Sequence, residues 1–340
     1  MQRSTAVFAI LLGAGVLQGC SVNGFVASKV GDALAGSGSS WSSEDDPELV
    51  REALPFALKT MESLAAEAPK HTGLRLALCR GYVGYAGGFL EPEAEAIEVR
   101  AFEEAKALRR RAERLYVRAL GYCREALDIS FADAGRELGA APDLALARIT
   151  KSGVEALYWT GVAWGSAISL ALDRPERVAD LPTVRAIFER ALALDEAWDH
   201  GSLHEAMIVF DAMPAMMGGS EEGARRHYAR SLELSGGLRA SPYVTWARSS
   251  AVARQARREF RETLDKALAI DPDASPPDRL VNLISQRRAR VLLARIDDFF
   301  FADDSDAADD GAVGAGSKGT DGTVTEPPPE AEEGTENGND

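Results

Sequence analysis

Ala267-Leu268-Ala269-Ile270-Asp271-Pro272 ends one segment of this chain, and three earlier segments end in much the same way: Ala126-Leu127-Asp128-Ile129, Ala191-Leu192-Ala193-Leu194-Asp195 and Ser231-Leu232-Glu233-Leu234. Three residues before each stands a larger apolar residue or a cysteine: Cys123, Phe188, Tyr228 or Leu264. A small residue followed by aliphatics at this spacing is the end of an amphipathic helix, and Pro or a Gly pair then stops it. Outward from these ends the rest of the body reads the same way. Helices are expected from 47 to about 68, with Pro55 as a kink or a later start, and from 72 to about 89. The stretch 93–129 forms one long helix or two with a bend. Further helices follow over 144–172, from Pro182, over 198–213, over 221–234 with Ser220 as N-cap, from Pro242 at N1 with Ser241 as N-cap, and from Pro276-Pro277 to about 301. No alternating, β-rich segment of useful length interrupts them. The fold class expected is all-α.

The four helix ends recur at intervals of 65, 40 and 36 residues. Their pattern resembles the second helix of a tetratricopeptide (TPR) repeat, whose ideal period is 34. The Trp-x2-Leu-Gly-x2-Tyr signature of the first helix is missing, so the array is TPR-like and degenerate, with a non-repeating first third. Stacked helical hairpins of this kind make a solenoid with a concave binding surface.

The 340 residues carry a formal charge of −15. Residues 302–340 hold 12 acids and one Lys, which is −11 of that total and leaves −4 on the rest. A near-neutral body and an acidic tail argue against nucleic acid as a partner, because phosphate binding needs a basic face. The tail's composition predicts disorder. It contains Gly314-Ala315-Gly316-Ser317-Lys318-Gly319, which matches a dinucleotide fingerprint by letters but has neither a strand before it nor a helix after it. No cofactor is expected.

The amino terminus reads as an address. Met1-Gln2-Arg3 is followed by an apolar run over 6–16 and then Leu17-Gln18-Gly19-Cys20. The run suits a signal-peptide core and is too short for a permanent span. The last four residues resemble the bacterial lipobox, which implies a signal peptide over 1–19 and acylation of Cys20. Ser21 after the Cys points to the outer membrane by resemblance to sorted lipoproteins. Between 21 and 46, 11 of 26 residues are Gly or Ser, so 20–46 is a tether.

Several blocks are closer to one family than to the generic repeat. Leu54-Pro55-Phe56-Ala57-Leu58-Lys59, Leu157-Tyr158-Trp159-Thr160-Gly161-Val162-Ala163-Trp164-Gly165 and Asp180-Leu181-Pro182 resemble blocks of the TRAP transporter T-component (TatT) family. So do His204-Glu205, Ala240-Ser241-Pro242-Tyr243-Val244, the end at 267–272, and Arg279-Leu280-Val281-Asn282 with Gln286-Arg287-Arg288-Ala289. The blocks occur in order across 47–301. The resemblance implies a periplasmic TPR-like lipoprotein, a homotrimer with a central channel, and docking of the solute-binding protein of a tripartite ATP-independent periplasmic (TRAP) transport system.

The residues offer further candidates. The 17 uncharged residues 156–172 form a short membrane span or, better, a central buried helix. Its Tyr158, Trp159 and Trp164 belong to the core or line a ligand cavity or channel. Arg287 and Arg288, like the run Arg109-Arg110-Arg111, lie on a solvated ion-pair face or contact an acidic partner. Cys79 and Cys123 are a disulfide or two small core residues. His200 and His204 stand four apart on the helix expected over 198–213, which would place both imidazoles on one face and could seed a zinc site. Neither Ser202 nor Ser220 has the setting of a catalytic nucleophile. The function expected is a lipid-anchored, non-enzymatic scaffold that oligomerises, binds a TRAP solute-binding protein and helps relay a small apolar ligand. The alternatives are a general cell-envelope TPR adaptor and a metal-dependent hydrolase around His200 and His204.

Overall fold

The computed structural model describes residues 38–301 together with Lys29 and Gly36. The lipobox with Cys20, the tether before residue 38 apart from those two residues, and the acidic tail with its glycine motif lie outside the described residues. The chain divides into two units, Met1–Phe300 and Phe301–Asp340, and the description below concerns the first.

The described residues are predominantly helical and contain no strand, in keeping with the periodicity. The main helices are α1 (Pro47–Glu67), α2 (Thr72–Tyr85), α3 (Glu91–Ile97), α4 (Phe102–Ser130), α5 (Pro142–Arg148) and α6 (Val154–Ser169). They continue with α7 (Leu181–Leu194), α8 (Ser202–Asp211), α9 (Glu221–Leu234), α10 (Ser241–Trp246), α11 (Arg257–Leu268) and α12 (Arg279–Ala294). Asp46 caps α1 by accepting from the backbone N–H groups of Glu48 and Leu49, and Ser220 caps α9 through Gly223. The helix α1 runs unbroken through Pro55.

Neighbours in sequence are neighbours in space: α1 packs on α2, α6 on α7, α8 on α9, and α11 on α12, while the long α4 lies against both α2 and α6. The repeated helix ends explain how. Ala126, Ala191, Ser231 and Ala267 are all buried, so a small side chain sits wherever another element comes closest. Gly161 does the same for α6 and α7. A Cβ there would lie 2.6 Å from Cζ of Phe188. At the end of α11, the carboxamide of buried Gln286 donates to the carbonyls of Ala267, Leu268 and Ile270, so the closing turn keeps its hydrogen bonds away from water.

Cys79 and Cys123 form a disulfide between α2 and α4 with a Cα–Cα distance of 5.2 Å. The alternative left open by the sequence is thereby decided for the bridge.

One alternative is decided and three expectations are corrected. The stretch 93–129 is two helices, because the chain turns between Ile97 and Phe102. Residues 144–172 are broken at 149–153, leaving α5 and α6. No continuous helix covers 198–213. Trp198–Gly201 is a 3-10 turn in which Asp199 and His200 take left-handed φ of 47° and 54°, and Gly201 follows at 91° before α8 begins. Ser241 is the first residue of α10 instead of its cap. Two single π-turns, Ala86–Leu90 after α2 and Ala247–Ala251 after α10, were not legible in the periodicity.

Candidate functional site

Two cavities open between the helices, one of about 490 Å³ and one of about 450 Å³. Both sizes fall in the range of small-molecule sites. The first lies among α1, α2, α10 and α12. Its emptiness has a local cause in α2 and the π-turn that extends it: Gly81, Gly84 and Gly88 recur at helical spacing along its wall. A Cβ on Gly84 would meet nothing within 4 Å. Leu54, Met61, Phe89, Trp159, Leu280 and Ile284 make the rest of this wall largely apolar.

The second cavity lies among α6, α7 and α8. Tyr158, Phe188 and Phe210 form an aromatic wall, with ring centroids 6.2 Å apart for the first pair and 5.8 Å for the second. Gly161 and Gly165 face it from α6, and Met213 and Met217 close the other side. Leu172 is 66% exposed and Met217 51%, so an apolar rim carries this cavity to the surface.

Glu205 and Thr245 line both cavities. Their placement is built from the backbone upward. Buried Asn282 of α12 accepts from the N–H of Ala240 and donates to the carbonyl of Leu238, at 2.9 Å each. Buried Arg239 is held by Asp278 at 2.7 Å from its Nε and by Asp199 and the Ser202 hydroxyl. These two clamps fix the start of α10. Trp246 then anchors its end, fully buried and stacked on Tyr228 at 4.6 Å. Ser241 and Thr245, four apart and therefore on one face, both donate to the Glu205 carboxylate, at 2.8 Å to Oε2 and 2.7 Å to Oε1.

Burial pushes the Glu205 carboxyl above its ordinary range; the two hydroxyls and Arg239 only partly oppose this, and Asp199 adds to it. The nearby cations are engaged elsewhere. Arg239 answers Asp199 and Asp278, and Arg288 makes a two-pronged pair with Glu95 at 2.6 and 3.1 Å. Burial opposes the ionisation of Glu95 as well, but Arg288 and Arg248 outweigh it and hold that carboxyl below the usual range. Burial likewise raises Tyr158, with Glu205 and Asp199 adding to the effect.

The structure separates the residues that the sequence grouped. Tyr158 faces the second cavity and Trp159 the first. Trp164 lines neither: it is buried, donates from Nε1 to Asp180 at 3.1 Å, and carries the Arg124 guanidinium 4.3 Å from its ring centre. Arg288 is turned into the wall of the first cavity and is not a surface contact, because Glu95 draws it inward. Arg287 is exposed and pairs with Glu48. His200 sits on the exposed left-handed turn, while His204 is buried and pairs with His227 at 2.8 Å between their Nδ1 atoms. The two imidazoles expected on one helical face are thus apart, and the hydrolase reading loses its geometric premise. No group of three or more His, Cys, Asp or Glu side chains among the described residues is arranged to hold a metal ion. No described helix is long and apolar enough to cross a membrane; 156–172 supplies α6, a core helix.

Sequence reasoning quoted Glu205, Ser241 and the residues before Thr245 without seeing their role. The signal was an acid followed by the apolar run Ala206 to Phe210, and two hydroxyls four residues apart at Ser241 and Thr245.

The TRAP transporter T-component family model matches residues 43–300, which is most of the chain. The chain belongs to that family. A protein of Treponema pallidum (strain Nichols), described as "Uncharacterized protein", is 32% identical over 268 residues, covering 76% of this chain and 82% of that one. The chain is therefore a TRAP-associated component, and the matched span coincides with the helical unit that holds both cavities.

Proposed function

We propose that the protein is a lipid-anchored periplasmic component that binds the solute-binding protein of a TRAP system and holds or relays a small apolar ligand through its two cavities. The observation that carries this reading is the meeting of two largely apolar cavities at Glu205 and Thr245 within a member of a transport-associated family. A catalytic scaffold would gather polar groups around a reacting atom. Here a single hydrogen-bonded carboxyl stands between two apolar chambers, an arrangement suited to holding a molecule and letting it go.

Cys20 would supply the anchor. Acylation of its thiol and new amino group would leave the body tethered to the outer membrane by residues 20–46. The body would assemble as a homotrimer, as the resemblance implies, with each copy presenting the same surface to its own partner. Co-purification from native membranes with mass spectrometry of the captured proteins tests the partner. A TRAP solute-binding protein is the expected capture. Recovery of unrelated envelope proteins in its place would move the reading to a general TPR adaptor.

A further inference from the structure

Among the described residues, Glu205 supplies the only acid lining the second cavity, and no Lys, Arg or His lines it. Around that carboxyl stand the faces of Tyr158, Phe188 and Phe210 and the polarisable Met213 and Met217. Both carboxylate oxygens accept a hydroxyl donor, from Ser241 and from Thr245. Those donors orient the group and stabilise its ionised form, but they bring no positive charge. The charged and titratable groups that bear on it are Tyr158 of α6, Asp199 of the preceding turn and Arg239 before α10. Arg239 is committed to Asp199 and Asp278. Arg80 and Arg288 line only the first cavity and pair there with Glu155 and Glu95. His204, the neighbour in sequence, points away to His227.

A carboxylate in apolar surroundings with no cation of its own is costly, and a ligand that brings the cation removes that cost. Aromatic faces beside it attract the same charge. We infer that the second cavity takes a monocationic amine with an apolar body, its ammonium seated against Glu205 and the aromatic wall and its hydrocarbon part directed to the Leu172–Met217 rim. An organic anion would meet Glu205 as a like charge, and a neutral molecule would leave the carboxylate uncompensated. The inference rests on the proposal that the cavities hold ligand, and it names the class.

The test is isothermal titration of the mature chain in zwitterionic nanodiscs, with empty nanodiscs as blank, using three probes of equal length: hexylammonium, 1-hexanol and hexanoate. Hexylammonium is expected to bind about tenfold or more tightly than 1-hexanol, with hexanoate the weakest. Glu205→Gln should erase the difference between the ammonium and the alcohol. On wild-type protein, acidification should weaken the ammonium, because protonating Glu205 removes its counter-charge, while the alcohol's affinity stays level. This pH series decides the matter even should the variant fold poorly. A wild-type protein that binds the alcohol or the acid as tightly as the ammonium, or an ammonium affinity indifferent to pH, would overturn the inference while leaving the cavities as ligand sites. Binding of none of the three would overturn both.

Discussion

The Thr245 hydroxyl lies 2.7 Å from Oε1 of Glu205, and these two residues belong to the walls of both cavities. The contact joins α10 to α8 across the point where the chambers meet. Both residues therefore stand on the wall that the two cavities share. The hydrogen bond depends on the start of α10 being held by Asn282 and Arg239, so residues far apart in sequence set one polar feature in an apolar interior.

The raised carboxyl of Glu205 has a consequence for stability. An acid whose pKa is higher in the folded than in the unfolded chain makes folding bind protons. Its contribution is therefore most favourable below the ordinary carboxylate range and is lost as pH rises through its folded pKa. Glu205→Gln, which cannot ionise, is expected to gain stability relative to wild type as pH increases across that window. Denaturant melts of both proteins at a series of pH values check this; a difference that does not change with pH contradicts it.

The two imidazoles of His204 and His227 titrate in the opposite sense. Burial lowers both, and His204 lowers His227 further. The unfolded chain then binds more protons than the folded one, so their contribution is lost as pH falls through the ordinary histidine range. His227→Gln should flatten the loss of stability between neutral and mildly acidic pH, read from thermal melts. An unchanged slope would show that the pair does not govern it.

Two glycines that look alike in sequence should behave differently. Gly84 faces open space in the first cavity. Gly84→Leu is expected to keep or raise stability by up to about 1 kcal/mol through helix propensity, while filling the chamber and abolishing ligand binding there. Gly161→Ala would press a methyl group into the Phe188 ring and should destabilise by roughly 1–3 kcal/mol. Calorimetry and ligand titration on the two variants separate these outcomes.

The Cys79–Cys123 bridge closes a loop with a sequence separation of 44. Constraint of the unfolded chain by a loop of that size is worth about 4 kcal/mol in the chain-entropy account, so the double Cys→Ser variant should melt roughly 10 °C lower. A shift of a degree or two would mean that packing of α2 on α4 supplies nearly all the stability.

The helical class and most helix boundaries were legible because they follow from local chemistry. Pro47, Ser220 and the small residues at 126, 191, 231 and 267 act within a turn or two of where they stand. The break at 98–101 was legible only as one of two alternatives, and those at 149–153 and 198–201 were not legible. In the last, residues with ordinary helix tolerance adopt left-handed φ because Arg239, distant in sequence, holds the Asp199 carbonyl at 2.7 Å. The site was harder still. Tyr158 and Trp159 were visible as aromatics near a cavity, but adjacent residues on a helix point to different sides, and only packing decides which chamber each meets. Trp164 was drawn into the core by Asp180 and Arg124, and Arg288 into the wall by Glu95. Glu205 became a site residue through tertiary packing: an acid among apolar neighbours and two hydroxyls four residues apart could flag it, but only the fold brings them together between the cavities.

If Cys20 carries the anchor, the wild-type chain should partition into the detergent phase on phase separation and Cys20→Ala should not. Equal partitioning of the two would remove lipidation from the account.

The most direct measurement is sedimentation velocity of the mature chain alone and mixed with the TRAP solute-binding protein of the same organism. The account predicts a species of three chains that moves faster when the solute-binding protein is added. A monomer whose sedimentation is unchanged by that protein would contradict it.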